Sequence, residues 1–202
     1  GGRPRSPDLL RATPRAPDGS PTGSLPFANP AGSTTVRHRC APRKNSVQMS
    51  FSDFRLTPAL QRGIADLGFT EPTPIQLAAL PPALEGRDVL AAAMTGSGKT
   101  AVFALPILQR LMGRPGSGVR ALVLTPTREL AAQVHEHLRA LGRHTKLTSA
   151  TVFGGVSAGP QLRALRAGVD IVVATPGRLL DHLGSGAARL DGVEILVLDE
   201  AD

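Results

Sequence analysis

From residue 51 onward the chain alternates strand and helix patterns, and this predicts an α/β fold: a doubly wound parallel sheet with helices on both faces. Three observations carry the prediction. Short runs rich in Val, Leu and Ile recur between amphipathic stretches at intervals suited to βαβ units. Several of those runs, such as VRALVLT and VDIVVA, are apolar at consecutive positions, which marks strands buried on both faces. No internal repeat of 20 to 50 residues points instead to a solenoid or propeller.

The elements follow in order. Apolar residues three and four apart predict helices over 57–67 and 75–84, the second opened by the rigid turn Glu71-Pro72-Thr73-Pro74. A strand is predicted at 88–93 (DVLAAA), a helix at 99–112, a strand at 119–125 (VRALVLT) and a helix at 127–141. Strand 147–153, helix 157–167, strand 169–174 (VDIVVA), helix 177–183 and strand 193–198 (VEILVL) complete the series.

Residues 1–48 read differently and set the domain boundary, with 49–202 as the folded domain. They hold eight of the 18 prolines and only scattered, aperiodic apolar residues, so they are expected to be a disordered Pro/Gly/Arg-rich tail. The formal charge of +7 sits mostly there. Arg3, Arg5, Arg11, Arg15, Arg37, Arg39, Arg43 and Lys44 face only Asp8 and Asp18, giving +6 and leaving +1 for the rest. The tail therefore has two readings, a solvated extension or an arm that attracts RNA. A third cuts across both: Met49-Ser50-Phe51 looks like a natural start, so the tail could be upstream sequence. The single thiol, Cys40, excludes a disulfide framework, and no apolar stretch approaches the ~20 residues that span a bilayer. Nothing at the N-terminus reads as a secretion signal, so a cytoplasmic location is expected.

The sharpest local signal is Ala93-Met94-Thr95-Gly96-Ser97-Gly98-Lys99-Thr100, between a predicted strand and a predicted helix. That is the context of a P-loop. Gly96 and Gly98 let the backbone N–H groups turn toward phosphate oxygens, Lys99 reaches the outer phosphates, and Thr100 ligates Mg²⁺. Ala93 stands where the motif has its first glycine. A second signal closes the last strand: Asp199 is suited to hold the Mg²⁺ shell and Glu200 to act as the base for the attacking water. Without the P-loop, those acidic residues would read equally well as a strand leaving the core.

At Asp199-Glu200-Ala201-Asp202 the sequence resembles the DEAD-box RNA helicases, and the resemblance extends over residues 51–202. Gly68 to Gln76 is similar to that family's Q motif, and Phe51, 17 residues before Gly68, to its isolated aromatic. The resemblance implies ATP rather than GTP, with Gln76 pairing the adenine edge. Pro126-Thr127-Arg128 is similar to motif Ia, Gly154-Gly155 to the GG element, and Thr175-Pro176-Gly177-Arg178 to motif Ib. In the family all three contact the RNA backbone, and each lies where a helix N-terminus or a glycine can offer N–H groups to phosphate. Read singly, each is also an ordinary capped turn.

The resemblance implies a first RecA-like, P-loop NTPase domain with ATP and Mg²⁺ as cofactors, RNA bound through its backbone with low sequence specificity, and no membrane. Ribonucleoprotein or RNA-decay partners belong to the same expectation. Val119 to Gln133, Phe153 to Ser157 and Val193 to Leu198 look most like the bacterial RhlE-like branch. Ser149-Ala150-Thr151 spells motif III but precedes Gly154-Gly155, so it is a coincidence of composition. The chain is expected to be truncated after Asp202, to lack the strand that in the family lies between the P-loop strand and the DEAD strand, and to be inactive alone. Two other classes stay open: a non-enzymatic ATP- and RNA-binding module, and a P-loop ATPase acting on DNA or protein, against which the Q motif and motif Ib argue.

Overall fold

The computed structural model describes residues 34–36, 49–114 and 116–201. Among the described residues there are six α-helices and six strands; five of the strands lie within the predicted spans, and the first, Thr34–Val36, falls in the segment read as a disordered tail. The helices are α1 (Pro58–Asp66), α2 (Pro74–Leu84), α3 (Lys99–Met112), α4 (Arg128–Leu141), α5 (Ala158–Ala167) and α6 (Pro176–Gly184). The strands are β1 (Thr34–Val36), β2 (Val89–Ala91), β3 (Ala121–Leu124), β4 (Ser149–Val152), β5 (Ile171–Ala174) and β6 (Ile195–Leu198). Helix starts are chemically marked. Proline occupies the first turn of α1, α2 and α6, where its missing N–H costs nothing, and threonine precedes it each time. At α2 the Thr73 and Gln76 pair forms a capping box.

Four strands form one parallel sheet in the order β4-β5-β3-β6. Alternate residues of its central strands serve two cores. Ala121, Val123, Ile171 and Val173 pack with α1, α3 and α4, while Leu122, Val172 and Ala174 pack with Leu165 of α5 and Leu179 of α6. All four residues of β5 are buried, as a strand covered on both faces requires.

The expectation of burial on both faces does not hold for β2 and β6. Leu90, Leu196 and Leu198 are 64%, 58% and 58% exposed, whereas Ile195 and Val197 pack inward. The reason is coverage: the α5 and α6 core reaches β3, β4 and β5 and stops short of β6. Among the described residues β2 makes no ladder with β6, so the sheet is interrupted where the resemblance implied a gap. A cleft of about 610 Å³ lies there, lined by β2, β6 and the flank of α3. Instead, β2 pairs in parallel with β1, with Thr34 opposite Val89 and Val36 opposite Ala91. Those three residues depart from the reading of 1–48 as a disordered tail; an open strand edge offers unpaired N–H and C=O groups that any extended segment can satisfy. The rest of that reading lies outside the described residues. No described helix is long and apolar enough to cross a membrane.

Candidate active site and nucleic-acid interface

Parallel strands end on one rim of a sheet, and in α/β folds ligands bind at that rim. The register aligns Val152, Ala174, Leu124 and Leu198 in one row, in that order across the sheet. The four following segments therefore leave side by side. They carry Gly154-Gly155, Thr175 to Arg178, Pro126 to Arg128, and Asp199-Glu200, so residues spread over 75 positions of sequence converge because four ladders share one direction.

The P-loop is shaped from behind. Thr73 donates its hydroxyl to the Ser97 carbonyl at 2.8 Å, and the Gln76 amide donates Nε2 to the Gly98 carbonyl at 3.1 Å. In a trans peptide the next N–H points opposite to the carbonyl, so these two bonds turn the N–H groups of Gly98 and Lys99 away from α2 and into the loop. Gly98 is required on two counts: its φ is +89°, and an added Cβ would lie 2.5 Å from Gln76 Nε2. The buried Ser97 Oγ has no hydrogen-bond partner among the described residues. An orphaned hydroxyl beside inward N–H groups and the N-terminus of α3 is suited to an anionic oxygen, so the residues present fit a nucleotide phosphate. Thr95 and Gly96 are exposed on the loop, and Thr100 lies in the first turn of α3.

Lys99 is folded back, donating Nζ to the Ala93 carbonyl at 2.7 Å. A phosphate would have to draw it from that oxygen. Across the cleft Asp199 is half-buried, and its carboxyl is pushed above the usual range by burial and then by neighbouring Glu200, with Lys99 opposing. Such a carboxylate gains from a bound cation. Glu200 holds φ at +51°, an unusual conformation for a residue with a side chain.

Two base-site expectations meet a different arrangement. Gln76 is 3% exposed, and its amide is already used on both sides, because Oε1 accepts from Thr73 N–H at 2.9 Å. One N–H and one lone pair of the amide remain beyond these two bonds, and pairing with adenine would use those. Phe51 is buried, edge-on to Phe54 and stacked on Phe69 at 6.3 Å; Phe69 keeps the more exposed ring of that pair. Aromatic contact draws Phe51 into the core, leaving Phe69 as a neighbour that sequence reasoning did not single out. Thr73 was also missed, although its spacing of three before Gln76 is the capping-box signal.

The nucleic-acid candidates do converge. Pro126, Thr127 and Arg128 are exposed at the start of α4, where Thr127 Oγ1 accepts from Leu130 N–H. The Arg128 guanidinium pairs with Glu129 at 2.6 Å and lies against Gly155, whose φ is +79° and where an added Cβ would be 2.7 Å from Nη1. Thr175 stands at the N-cap position of α6 without a side-chain capping bond, followed by exposed Pro176 and Gly177. Arg178 is not an open cation: it donates Nη1 to the Val156 carbonyl at 3.2 Å and approaches Asp181 at 3.6 Å. It ties motif Ib to the 153–157 loop.

The sequence pattern described as DEAD/DEAH box helicase matches residues 73–202. The chain is 51% identical over 156 residues to "DEAD-box ATP-dependent RNA helicase 28" of Oryza sativa subsp. japonica, covering 76% of this chain and 20% of that protein. It is 48% identical over 157 residues to "Probable ATP-dependent RNA helicase DDX27" of Homo sapiens, covering 76% and 20%. Against "ATP-dependent RNA helicase DRS1" of Eremothecium gossypii it is 48% identical over 163 residues, covering 79% and 22%. Its fold is similar to the crystal structure of a DEAD box protein from the hyperthermophile Methanococcus jannaschii, with a TM-score of 0.71 and 41% identity over 76% of this chain and 42% of that one. The chain thus spans about a fifth of the length of these curated relatives.

Proposed function

The chain belongs to the DEAD/DEAH box helicase family, and from that premise we propose that it is the nucleotide-binding part of an ATP-dependent RNA helicase. It binds ATP with Mg²⁺ and the backbone of RNA, and couples ATP hydrolysis to local opening or remodelling of short duplexes. One observation supports the reading: the shared register sets the Asp199-Glu200 turn in one row with the three turns that this reading assigns to a sugar-phosphate backbone. Hydrolysis and strand contact would then be neighbours on a rigid rim.

In this reading Gly96, Ser97, Gly98 and Lys99 hold the phosphates, Thr100 and Asp199 hold Mg²⁺, and Glu200 takes the proton from the attacking water. Bound Mg²⁺ supplies charge neutralisation at the transferred phosphoryl group. Lys99 leaves the Ala93 carbonyl to meet that charge. Gln76 chooses adenine, with Phe51 behind Phe69 closing the base side. Pro126, Thr127, Arg128, Gly154, Gly155, Thr175, Pro176 and Gly177 meet the RNA backbone, and Arg178 shapes their loop. Low sequence specificity follows, since phosphate contacts carry no base information.

The finer expectations belong to the same proposal. The likeness to the bacterial RhlE-like branch rests on Val119 to Gln133, Phe153 to Ser157 and Val193 to Leu198, beside eukaryotic relatives at 46% to 51% identity. Ribonucleoprotein or RNA-decay partners, and the cytoplasm as the place of work, are part of the same proposal. Taken alone, the 202 residues are expected to bind ATP weakly and not to unwind. The test is ATP hydrolysis by the complete gene product with single-stranded RNA or DNA added. RNA-selective stimulation supports the reading, and equal stimulation by DNA overturns its RNA half.

A further inference from the structure

The loop 153–157 is held by side chains from two helices. Gln161 of α5 donates Nε2 to the Phe153 carbonyl at 3.0 Å and to the Ser157 carbonyl at 3.5 Å. Donation to carbonyls fixes the amide's orientation, so Oε1 on its other side can only accept. Facing that oxygen at 3.3 Å is Nε2 of His182 on α6, which must therefore carry the ring proton. Gln161 and His182 are 7% and 5% exposed. An apolar pair could fill this space without burying amide and imidazole groups, so the pair's value lies in the geometry it specifies.

We propose that Gln161 and His182 form a buried latch that sets the distance and orientation between the two RNA-facing turns, Gly154-Gly155 and Thr175 to Arg178. The proposal rests on the RNA reading above. Neither residue touches RNA; both are positioning residues. The latch turns the carbonyls of Phe153 and Ser157 inward, Arg178 does the same for Val156, and the N–H of Gly154, on the peptide it shares with Phe153, is left pointing outward. His182 lies one helical turn beyond Arg178, so the helix that begins with one RNA-facing turn anchors the other.

The test compares Gln161→Leu, His182→Leu and their double variant in the complete gene product. It reads affinity for a labelled single-stranded RNA, affinity for ATP, and amide hydrogen exchange along the backbone. Losing a buried donor should weaken RNA binding by about tenfold and speed exchange at 153–157, with ATP affinity and exchange in β3 and β5 unchanged. The double variant should add little to either single one, as expected for one linked unit. Two conservative variants separate the latch from packing and cover a failure of the leucine variants to fold. His182→Gln keeps a donor toward Gln161 and should recover most of the affinity. Gln161→Glu keeps the acceptor but sets a carboxylate against the Phe153 carbonyl, and should bind RNA as poorly as Gln161→Leu. Unchanged RNA affinity and loop exchange, or faster exchange throughout β3 and β5, would overturn the latch. A wild-type chain that binds no RNA while the variants still loosen 153–157 would overturn the RNA reading and leave the latch standing.

Discussion

The two ends of the sheet handle charge in opposite ways. At the amino end, Arg120 is buried and engaged through both terminal nitrogens, while its Nε has no partner among the described residues: it pairs with Asp170 at 2.6 Å and donates to the carbonyls of Leu111 and Arg114. Asp170 in turn accepts from the Thr148 N–H and hydroxyl, stitching the starts of β3, β4 and β5 together. Burial pushes its carboxyl up, but those hydrogen bonds and Arg120 outweigh burial and hold it below the usual range. At the carboxyl end, Asp199 sits beside Glu200 with its carboxyl raised, and Lys99 is turned to a backbone oxygen. Satisfied charge at one end serves stability, and unsatisfied charge at the other end is what a ligand can use. One sheet carries the Arg120–Asp170 pair at the starts of β3 and β5 and Asp199 at the end of β6, which lets one rim stay rigid while the other remains reactive.

The largest effect should come from breaking the satisfied end. Asp170→Ala leaves the Arg120 guanidinium buried without its partner and should cost roughly 3–5 kcal/mol in urea unfolding. Asp199→Ala, tested the same way, should cost nothing or stabilise. Equal losses at the two ends would erase the contrast.

Next comes the reactive end. Lys99→Ala should remove roughly 2–4 kcal/mol of transition-state stabilisation in ATP hydrolysis by the complete gene product, with the unfolding midpoint unchanged. Glu200→Gln should keep ATP binding and stop turnover. Turnover near wild type in Glu200→Gln would take the role of base away from it.

Gln76 sharpens the comparison, because it is a satisfied group at the reactive end. Gln76→Ala removes the bond to the Gly98 carbonyl and should weaken ATP binding by about 1–3 kcal/mol, narrowing the preference over GTP measured by competition. A wild-type chain indifferent between ATP and GTP would end the adenine assignment.

The smallest effect is in pH dependence, where the two aspartates should act with opposite sign. Asp170 has its folded pKa below the unfolded value, so its contribution is present above the unfolded pKa and lost as pH falls through the folded one. Asp199 has its folded pKa above the unfolded value. The fold then binds the proton more tightly than the unfolded chain, and stability falls as pH rises from the ordinary carboxylate range through the raised value. Asp199→Asn should therefore raise the thermal midpoint slightly at neutral pH, and Asp170→Asn should lower it. Midpoints followed from pH 3 to pH 8 would reveal a shared sign, which the comparison forbids.

Much of this molecule was legible before folding. Strand and helix order, both glycines of the P-loop, and the four rim segments are properties of local spacing: a period of two or of 3.6, a proline at a helix start, a glycine where φ turns positive. Each depends on residues within a few positions of one another, so the chain carries it before any contact forms. What tertiary structure alone decided depends on residues far apart. The fold sets the Gln76 amide against the Gly98 carbonyl and the Arg178 guanidinium against the Val156 carbonyl, partners 22 residues away in each case. Gln161 and His182 gave no local signal, since 21 residues and a full strand separate them before packing brings them to 3.3 Å. Leu90 and Leu198 read as buried on both faces and are not, because burial of a strand is set by the helices that cover it and not by its own composition.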